Sequence, residues 1–226
     1  MDKFSPQEYD AWYKTPLGSL CDRLEKEAVF ALFKPRGLVL DVGCGTGNYT
    51  LEIARRGAKG VGIDLSFDMA LFAKTKAETQ GLKTHFVVGR IEAMPFKKDV
   101  FDGVLGVTAL CFISNAETAI VEISRVMKKG GLVILGELNR FSYWALLRRI
   151  KGLFKKSSYR EARFFSLRKF KGLLEEAELK NLKWSSCIYF PPINSQWFLK
   201  GYRFFESAGK VLFPRNGAFI AIRGTK

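Results

Sequence analysis

The sequence predicts an α/β fold in which a mostly parallel sheet of seven strands carries helices on both faces. From residue 38 to residue 138, apolar segments typical of strands alternate with helical segments, an order that favours a parallel, doubly wound sheet. The first strand runs directly into Gly43, Gly45 and Gly47, and a strand that opens through glycines into a helix is typical of nucleotide-binding sheets. At 226 residues with 47% hydrophobic content, the chain can bury one core, so we expect a single domain over residues 1–226.

Residues 1–35 are expected to form a helical cap ahead of the sheet. An aromatic segment, residues 9–13, precedes a break predicted at Thr15-Pro16-Leu17-Gly18, and a helix follows from about residue 19 to residue 33. The apolar residues of this helix recur at helical spacing, namely Leu20, Leu24, Ala28 and Ala31.

The nucleotide-binding half is assigned to residues 36–138 and contains five predicted strands. They lie at residues 38–42, 60–64, 84–88, 101–107 and 132–138. Helices are expected from Gly47 to about Arg56, from Ser66, and over residues 117–127. The last of these is expected to stop at Lys128-Lys129-Gly130-Gly131, because glycine commonly ends a helix and basic residues suit its last turn.

Residues 139–226 are predicted to form the substrate-side half, with a basic helical insertion after strand five and a second insertion over residues 191–209. The first insertion, residues 142–156, is amphipathic. Its apolar face is predicted to carry Tyr143, Leu146, Leu147, Ile150 and Phe154, with Trp144 beside them. Its other face is predicted to carry most of the basic residues, Arg148, Arg149, Lys151, Lys155 and Lys156. A helix over residues 166–178 and strands over residues 182–189 and 217–223 complete the fold.

The net charge of +15 is concentrated in this second half. Residues 1–139 hold 18 Lys/Arg against 17 Asp/Glu, whereas residues 140–226 hold 19 against 5. Such segregation indicates a surface for an anionic partner, either nucleic acid or acidic lipid headgroups. A solvated basic face without a partner is the alternative.

The sequence also indicates where in the cell the protein is expected. The sequence contains no apolar stretch of the roughly 18 residues that a membrane span needs, and residues 1–4 lack the pattern that begins a signal peptide. Four widely spaced cysteines predict neither a zinc site nor a disulfide scaffold, so no metal is expected. We expect a cytoplasmic protein, with peripheral contact at the inner membrane surface if the basic half meets lipid.

The spacing of the glycines indicates which nucleotide is bound. A dinucleotide fingerprint places its third glycine five residues after the first, where this chain has Asn48. Residues 38–47 read LVLDVGCGTG instead, with Asp41 before the glycines, and this run resembles the first motif of class I S-adenosylmethionine (SAM)-dependent methyltransferases, (V/L)LD(V/L)GCGTG. The resemblance implies a Rossmann-like class I methyltransferase fold and SAM as the cofactor.

Two further segments extend the resemblance over about residues 36–138. The run at residues 101–104, FDGV, resembles the family landmark F-D-x-V, and the run at residues 125–131, RVMKKGG, resembles R-V-L-K-P-G-G. Both are typical of the type 11 methyltransferase branch, which includes ubiquinone and menaquinone C-methyltransferases. The resemblance also implies that substrate recognition lies in the two insertions of the second half.

The resemblance implies a set of SAM-binding residues around the first two strands. Asp64, at the tip of strand two, would accept hydrogen bonds from both ribose hydroxyls, although it could also serve only to cap the next helix. Asp41 would organise the glycine loop near the amino-acid end of SAM. The glycine loop and the start of the next helix would bring backbone N–H groups to the SAM carboxylate. The expected contacts are completed by Gly43, Cys44, Gly45, Thr46, Gly47, Leu65, Met69 and Thr108.

The adenine side departs from the family pattern. Residues 89–96 read GRIEAMPF, similar to the family segment G-D-A-E-x-L-P-F, but Arg90 replaces the acid that would contact the adenine amino group. Arginine can stack on adenine but cannot accept a hydrogen bond from it. Ile91 can still offer its backbone N–H, and Glu92 remains. In related enzymes an aromatic N-terminal helix closes over SAM, so Tyr13 or Trp12 could face the sulfonium, with ordinary packing as the alternative.

The acceptor is less constrained. Strand four ends in Val107-Thr108-Ala109-Leu110-Cys111, which lacks the Asn/Asp/Ser-Pro-Pro-aromatic motif of enzymes that methylate base amines. No general base stands out, so no catalytic residue is assigned. We expect methyl transfer to a small-molecule or lipid-like acceptor, with an RNA methyltransferase as the first alternative. A non-catalytic SAM-binding protein is the second, suggested by Arg90.

Overall fold

The structure, a computed structural model, describes residues 5–152 and 163–226. Its seven strands form one sheet with the order β3-β2-β1-β4-β5-β7-β6. The strands are β1 Leu38–Val42, β2 Lys59–Asp64, β3 Thr84–Val88, β4 Phe101–Val107, β5 Met127–Leu138, β6 Lys180–Cys187 and β7 Phe219–Thr225. The first five run parallel, and β7 lies antiparallel between β5 and β6. The predicted seven-stranded, mostly parallel sheet is therefore confirmed.

This topology brings distant loops to one edge of the sheet. The carboxyl ends of parallel strands share an edge, so the loops after β1, β2, β4 and β5 meet there. Phe219, at the start of β7, pairs with Leu138 at the end of β5 and with Cys187 at the end of β6. The segments that follow β6 and precede β7 therefore lie at the same edge as the glycine loop.

Helices cover both faces of the sheet, as predicted. Those of the described residues are α1 Pro6–Lys14, α2 Pro16–Leu32, α3 Asn48–Arg55, α4 Phe67–Thr79, α5 Ala116–Val126, α6 Tyr143–Gly152, α7 Leu167–Glu176, α8 Gln196–Leu199 and α9 Tyr202–Leu212. On one face, Ile120 of α5 and Leu174 of α7 are buried in a core with Leu40 and Val104. On the other face, Leu24 of α2 packs in a second core.

The break predicted at Thr15-Pro16-Leu17-Gly18 is confirmed at Thr15, which separates α1 from α2, but the predicted start of the next helix at about residue 19 is wrong, because α2 begins at Pro16. The Thr15 side chain accepts a hydrogen bond from the Gly18 backbone N–H at 3.0 Å, and Pro16 occupies the first helical position. Proline is tolerated there because that backbone position needs no N–H donor. The same threonine also ends α1, since its backbone N–H donates to Trp12 O.

The predicted glycine stop after α5 is also wrong. The helix ends at Val126, and Lys128-Lys129-Gly130-Gly131 belongs to β5, which begins at Met127. The physical reason is pairing with the end of the chain: the Gly130 N–H donates to Lys226 O at 2.9 Å, and the Lys226 N–H donates to Gly131 O at 3.0 Å. A contact between residues nearly 100 positions apart leaves no local pattern in the sequence.

The last two strands are displaced by two residues from their predicted positions. Strand β6 begins at Lys180 and ends at Cys187, because Ile188 has a φ of 67°, a left-handed conformation that does not continue a strand. Strand β7 ends at Thr225, where its pairing with β5 holds the terminus. Residues 153–156 of the predicted basic helix lie outside the described residues. Within the described ranges, no helix is both long enough and apolar enough to cross a bilayer.

Candidate functional site

The loop after β1 depends on its glycines. Gly43, Gly45 and Gly47 all have left-handed φ values of 67°, 51° and 79°. At Gly43 a Cβ atom would lie 2.6 Å from Ala109 Cβ, so a side chain there would be both strained and in collision. The backbone N–H groups of Gly43 and Cys44 donate to Ile63 O at 2.8 and 3.1 Å, which fixes the loop against the end of β2.

The start of α3 has the features of an anion site. Gly47 is its N-cap residue and makes no side-chain capping bond, so N–H groups of the first turn remain available to a ligand. A helix N-terminus carries partial positive charge, which suits a carboxylate such as that of SAM. The binding of the SAM carboxylate by these N–H groups remains a prediction.

Asp64 joins the glycine loop to the start of α4. Its Oδ2 accepts from the Gly45 N–H at 2.8 Å and its Oδ1 from the Ser66 N–H at 2.9 Å. The Ser66 hydroxyl caps α4 by accepting from the Met69 N–H at 3.4 Å, so the aspartate is not needed as the cap. Each carboxylate oxygen keeps a further acceptor position, which two hydroxyls of a ribose could use.

Asp41 is a buried acid directly below the glycine loop. Its Oδ2 accepts from the Thr50 hydroxyl at 2.6 Å, and burial raises its pKa to about 7, partly offset by that hydrogen bond. A ligand cation beside the loop would favour the ionised form of Asp41, since opposite charges attract strongly where water is excluded. This position fits the cationic amino-acid end of SAM.

Helix α1 is fastened over the glycine loop by Asp10, a residue that the sequence analysis did not single out. Asp10 Oδ1 accepts from the Thr46 hydroxyl at 2.6 Å, and Asp10 Oδ2 accepts from Lys76 Nζ at 2.8 Å. Lys76 also donates to Asn48 Oδ1 at 2.6 Å. No local pattern marks Asp10, because its partners lie 36 and 66 residues away.

The aromatic residues of α1 divide between the interior and the solvent. The hydroxyls of Tyr9 and Tyr13 lie 2.9 Å apart, and burial raises the pKa of Tyr13 well above its usual value. Trp12 is exposed. A Cβ atom on Gly45 would lie 3.8 Å from Tyr9 Cε1, so the Tyr9 ring faces the loop. The contact of Tyr13 with SAM remains a prediction.

The residues predicted on the adenine side follow β3, and two further predicted SAM contacts, Leu65 and Met69, follow β2. Arg90 is 62% exposed in its side chain and its Nη2 lies 3.3 Å from Glu92 Oε1. Ile91 is buried beside Gly43, Leu65 is exposed, and Met69 is half-buried in the first turn of α4. The guanidinium of Arg90 is therefore held by a neighbouring acid at the surface, and its stacking on adenine remains a prediction.

Glu137 organises the turn after β4 and was missed by the sequence analysis. Its Oε1 accepts from the Leu110 N–H at 2.7 Å, whereas its Oε2 has no hydrogen-bond partner among the described residues. Burial raises the pKa of Glu137 to about 8. Thr108, on the same turn, is held at a φ of 51° while its N–H donates to Gly136 O at 2.7 Å. An acid inside the apolar run of residues 132–138 was the signal available in the sequence.

A cleft of about 340 Å³ opens at the same edge of the sheet. It lies between the start of α6, helix α9 and the loop before β7, and its walls are almost entirely apolar. The lining residues include Phe141, Tyr143, Tyr189, Phe205, Leu212 and Phe213. Both predicted insertions contribute to it.

The predicted division of α6 into an apolar and a basic face is partly wrong. Trp144 is only 9% exposed, and its Nε1–H donates to Phe190 O at 2.6 Å. Arg148 is half-buried, with its guanidinium carbon 5.7 Å from the centre of the Trp144 ring and 5.8 Å from that of Phe164. Exposed positions are taken by Tyr143, Leu146, Arg149 and Ile150. The helix turns Trp144 inwards because the indole finds a buried acceptor there.

The part of the sequence that contains the glycine loop is similar to known proteins. A family model described as a methyltransferase domain matches residues 40–135. The chain is 31% identical over 190 residues to an uncharacterized protein of Methanocaldococcus jannaschii, covering 83% of this chain and 84% of that protein. It is 30% identical over 188 residues to an uncharacterized protein of Mycobacterium tuberculosis, covering 81% of this chain and 61% of that protein.

A solved structure extends the similarity to the whole fold. A SAM-dependent methyltransferase of Thermotoga maritima, described as a possible histamine N-methyltransferase, superimposes with a TM-score of 0.76 at 28% identity. The match covers 97% of this chain and 95% of that one, so it includes both insertions as well as the glycine loop.

Proposed function

This chain belongs to the SAM-dependent methyltransferase family, and from that premise we propose that it transfers the methyl group to a small, apolar, lipid-like acceptor. The observation that carries the proposal is the apolar cleft, which opens at the edge of the sheet where the glycine loop lies. Ligand sites in sheets of this kind lie at that edge.

SAM supplies a methyl group on a sulfonium, a good leaving group, when it is bound. In our proposal Asp64 holds the ribose hydroxyls, the start of α3 holds the carboxylate, and Asp41 faces the amino group. The left-handed glycines support this assignment, because they let the backbone approach a ligand closely.

The protein would further contribute to methyl transfer by aligning the acceptor and by excluding water. Transfer between two bound groups gains mainly from orientation and desolvation, so an apolar cleft is suited to it. Glu137 supports the acceptor side by holding the backbone of Leu110, which fixes the turn after β4. We assign Glu137 a positioning role, since its carboxylate is buried and points to that backbone.

An RNA methyltransferase is the second candidate, and the observation in its favour is charge. Residues 140–226 hold 19 Lys/Arg against 5 Asp/Glu, which would attract a polyanion. The exposed aliphatic residues around the cleft argue for the apolar acceptor, because aliphatic side chains offer little to a phosphate backbone.

The proposal is tested by supplying SAM with a panel of acceptors and detecting methylated product by mass spectrometry. The panel contains a prenylated quinol, a phenol, a fatty acid, phosphatidylethanolamine, histamine and total RNA. We expect methylation of an apolar compound, and we expect Leu212→Asp to raise the KM for it with little change in kcat, because Leu212 lines the cleft.

Val121→Asp is the matched control, since Val121 is comparably exposed but lies on α5, away from the cleft. Methylated RNA without any apolar product would overturn the proposal in favour of the second candidate. Methylated histamine alone, with a KM that Leu212→Asp leaves unchanged, would overturn the apolar acceptor.

A further inference from the structure

We propose that the outer surface of α8, α9 and α6 docks on a bilayer with anionic headgroups and so places the mouth of the cleft against the membrane. The inference goes beyond the proposed function, because docking is measured without any methyl transfer. It rests on the exposed apolar residues of this surface, on the way α9 is oriented, and on the cations around it.

The apolar part of this surface, here called the docking face, consists of large side chains that the fold leaves in solvent. Trp197 is 84% exposed and Val211 is 79% exposed. The docking face is completed by Phe204, Leu212 and Phe213. Clusters of exposed apolar residues on a soluble protein mark interaction sites, whereas scattered ones need no explanation.

The orientation of α9 is fixed by its inner side, so the exposure of its apolar residues is a property of the fold. Glu206 and Gly209 are the residues of α9 that are fully buried. Glu206 Oε1 accepts from the Tyr189 N–H at 2.7 Å, and a Cβ atom on Gly209 would overlap the Tyr189 ring. With Glu206 and Gly209 held inwards, Phe204 and Val211 point outwards.

Exposed cations flank the docking face. The segment of residues 196–216 contains one acid, Glu206, which is buried. Its exposed cations are Lys200, Arg203, Lys210 and Arg215. Within the described ranges, none of these four forms an ion pair with a carboxylate. An apolar face bordered by Lys and Arg is the pattern of a helix that lies in the interface of an anionic membrane.

Helix α6 continues this surface across the cleft. Tyr143 lines the cleft opposite Leu212, and Leu146 and Ile150 follow it at helical spacing on the exposed side of α6. Arg149 adds a further exposed cation. The mouth of the cleft therefore lies between two apolar helix surfaces, and an acceptor dissolved in the bilayer could enter it without crossing water.

A bilayer fits the docking face better than RNA does. Base stacking requires aromatic rings, and Trp197, Phe204 and Phe213 could provide them. Val211, Leu212, Leu146 and Ile150 have no ring, so they gain only from transfer into an apolar phase. Aliphatic and aromatic residues are mixed on one surface, which suits lipid.

The test is sedimentation with vesicles of phosphatidylcholine alone and of phosphatidylcholine mixed with phosphatidylglycerol, at low and high salt. We expect binding that needs the anionic lipid and weakens with salt. Phe204→Ser/Val211→Ser should lower binding by at least about tenfold, because it removes apolar area that the bilayer would bury. Arg203→Glu/Lys210→Glu should do the same, since each cation near the surface contributes about 1 kcal/mol.

Matched controls separate the docking face from general charge and apolarity. Lys97→Glu/Lys98→Glu reverses two exposed cations just before β4, at the opposite edge of the sheet, and Val121→Ser removes an exposed apolar residue of α5. Both should bind vesicles within about twofold of the wild type. Tryptophan fluorescence should shift to the blue on binding, and Trp197→Phe should lose that shift, because Trp144 is already buried and the exposed Trp12 lies on α1, outside the docking face.

Three outcomes would overturn the proposal. The first is a folded wild-type protein that binds neither kind of vesicle. The second is an equal loss of binding in Lys97→Glu/Lys98→Glu and Arg203→Glu/Lys210→Glu. The third is self-association that Phe204→Ser/Val211→Ser abolishes without vesicle binding, which would assign the face to a second copy of the chain. Methylation of a detergent-solubilised acceptor would still succeed in each case if the proposed function alone is right.

Discussion

The glycine loop after β1 and the docking face on α9 serve the same edge of the sheet but are built in opposite ways. The loop is held by short backbone hydrogen bonds, and at Gly43 it leaves no room for a side chain. The docking face consists of side chains in solvent, bordered by cations without acidic partners within the described ranges. Substitutions in the loop should therefore weaken cofactor binding and lower the stability of the fold. Substitutions on the docking face should affect only the binding of the membrane or of the acceptor.

The largest effect is expected for Gly43→Ala. The substitution forces alanine into a left-handed conformation and places its Cβ 2.6 Å from Ala109 Cβ, so we expect a loss of at least about 3 kcal/mol in stability or loss of SAM binding. Thermal unfolding and calorimetry measure both. Gly57→Ala is the control, because Gly57 has a φ of 85° but no atom near its Cβ position, and it should cost only about 1 kcal/mol. Equal costs at the two positions would mean that the collision is relieved.

The next largest effect is expected for Asp64→Ala, which should change SAM binding but not vesicle binding. Loss of hydrogen bonds to a charged group predicts SAM binding weaker by about 1.5–3 kcal/mol, measured by calorimetry. Vesicle binding should stay at the wild-type level. Unchanged SAM affinity, or a preference of the wild type for NAD, would sink the assignment of Asp64 to the ribose.

Glu137→Gln should flatten the dependence of stability on pH. The pKa of Glu137 is about 8 in the folded protein against 4.5 as its ordinary value, so the folded state holds a proton that the unfolded state releases. The stabilisation is complete below pH 4.5 and is lost as pH rises through about 8. We expect the variant to be more stable than the wild type above pH 8, because glutamine carries no charge to bury.

Asp41 and Glu25, whose pKa values burial raises to about 7 and about 8, should leave a residual slope in the Glu137→Gln variant. Glu78→Gln is the matched control, because Glu78 is exposed in the native state and its surroundings change little on unfolding. Denaturant unfolding from pH 5 to pH 9 measures the slopes. The burial argument fails if Glu137→Gln and the wild type show the same slope.

The smallest effect is expected at Arg90, which lies at the surface of the cofactor region. If the guanidinium packs on adenine, Arg90→Ala should weaken SAM binding by less than about 1 kcal/mol, whereas Arg90→Asp should restore the family contact and retain or raise the affinity. Calorimetry decides between them. An Asp variant far weaker than the Ala variant would mean that the adenine lies elsewhere.

The same contrast explains what could be predicted from the sequence. Strands β1, β3 and β4 lie at the predicted residues because apolar runs and glycine turns are local signals. The start of β5 and the clamp on α1 could not be predicted, because Gly130 pairs with Lys226 and Asp10 pairs with Lys76. The orientation of Trp144 depended on an acceptor 46 residues away, at Phe190. Local patterns therefore revealed the cofactor loop better than the acceptor side.

The fastening of α1 has a kinetic consequence. Asp10 ties this helix to Thr46 of the loop and to Lys76 of α4, so a molecule bound beneath α1 would exchange with solvent only after both contacts open. The residence time of the spent cofactor should then depend on how often that opening occurs. Turnover in the steady state would be paced by the departure of product, and a burst of one methylation per protein molecule would precede it.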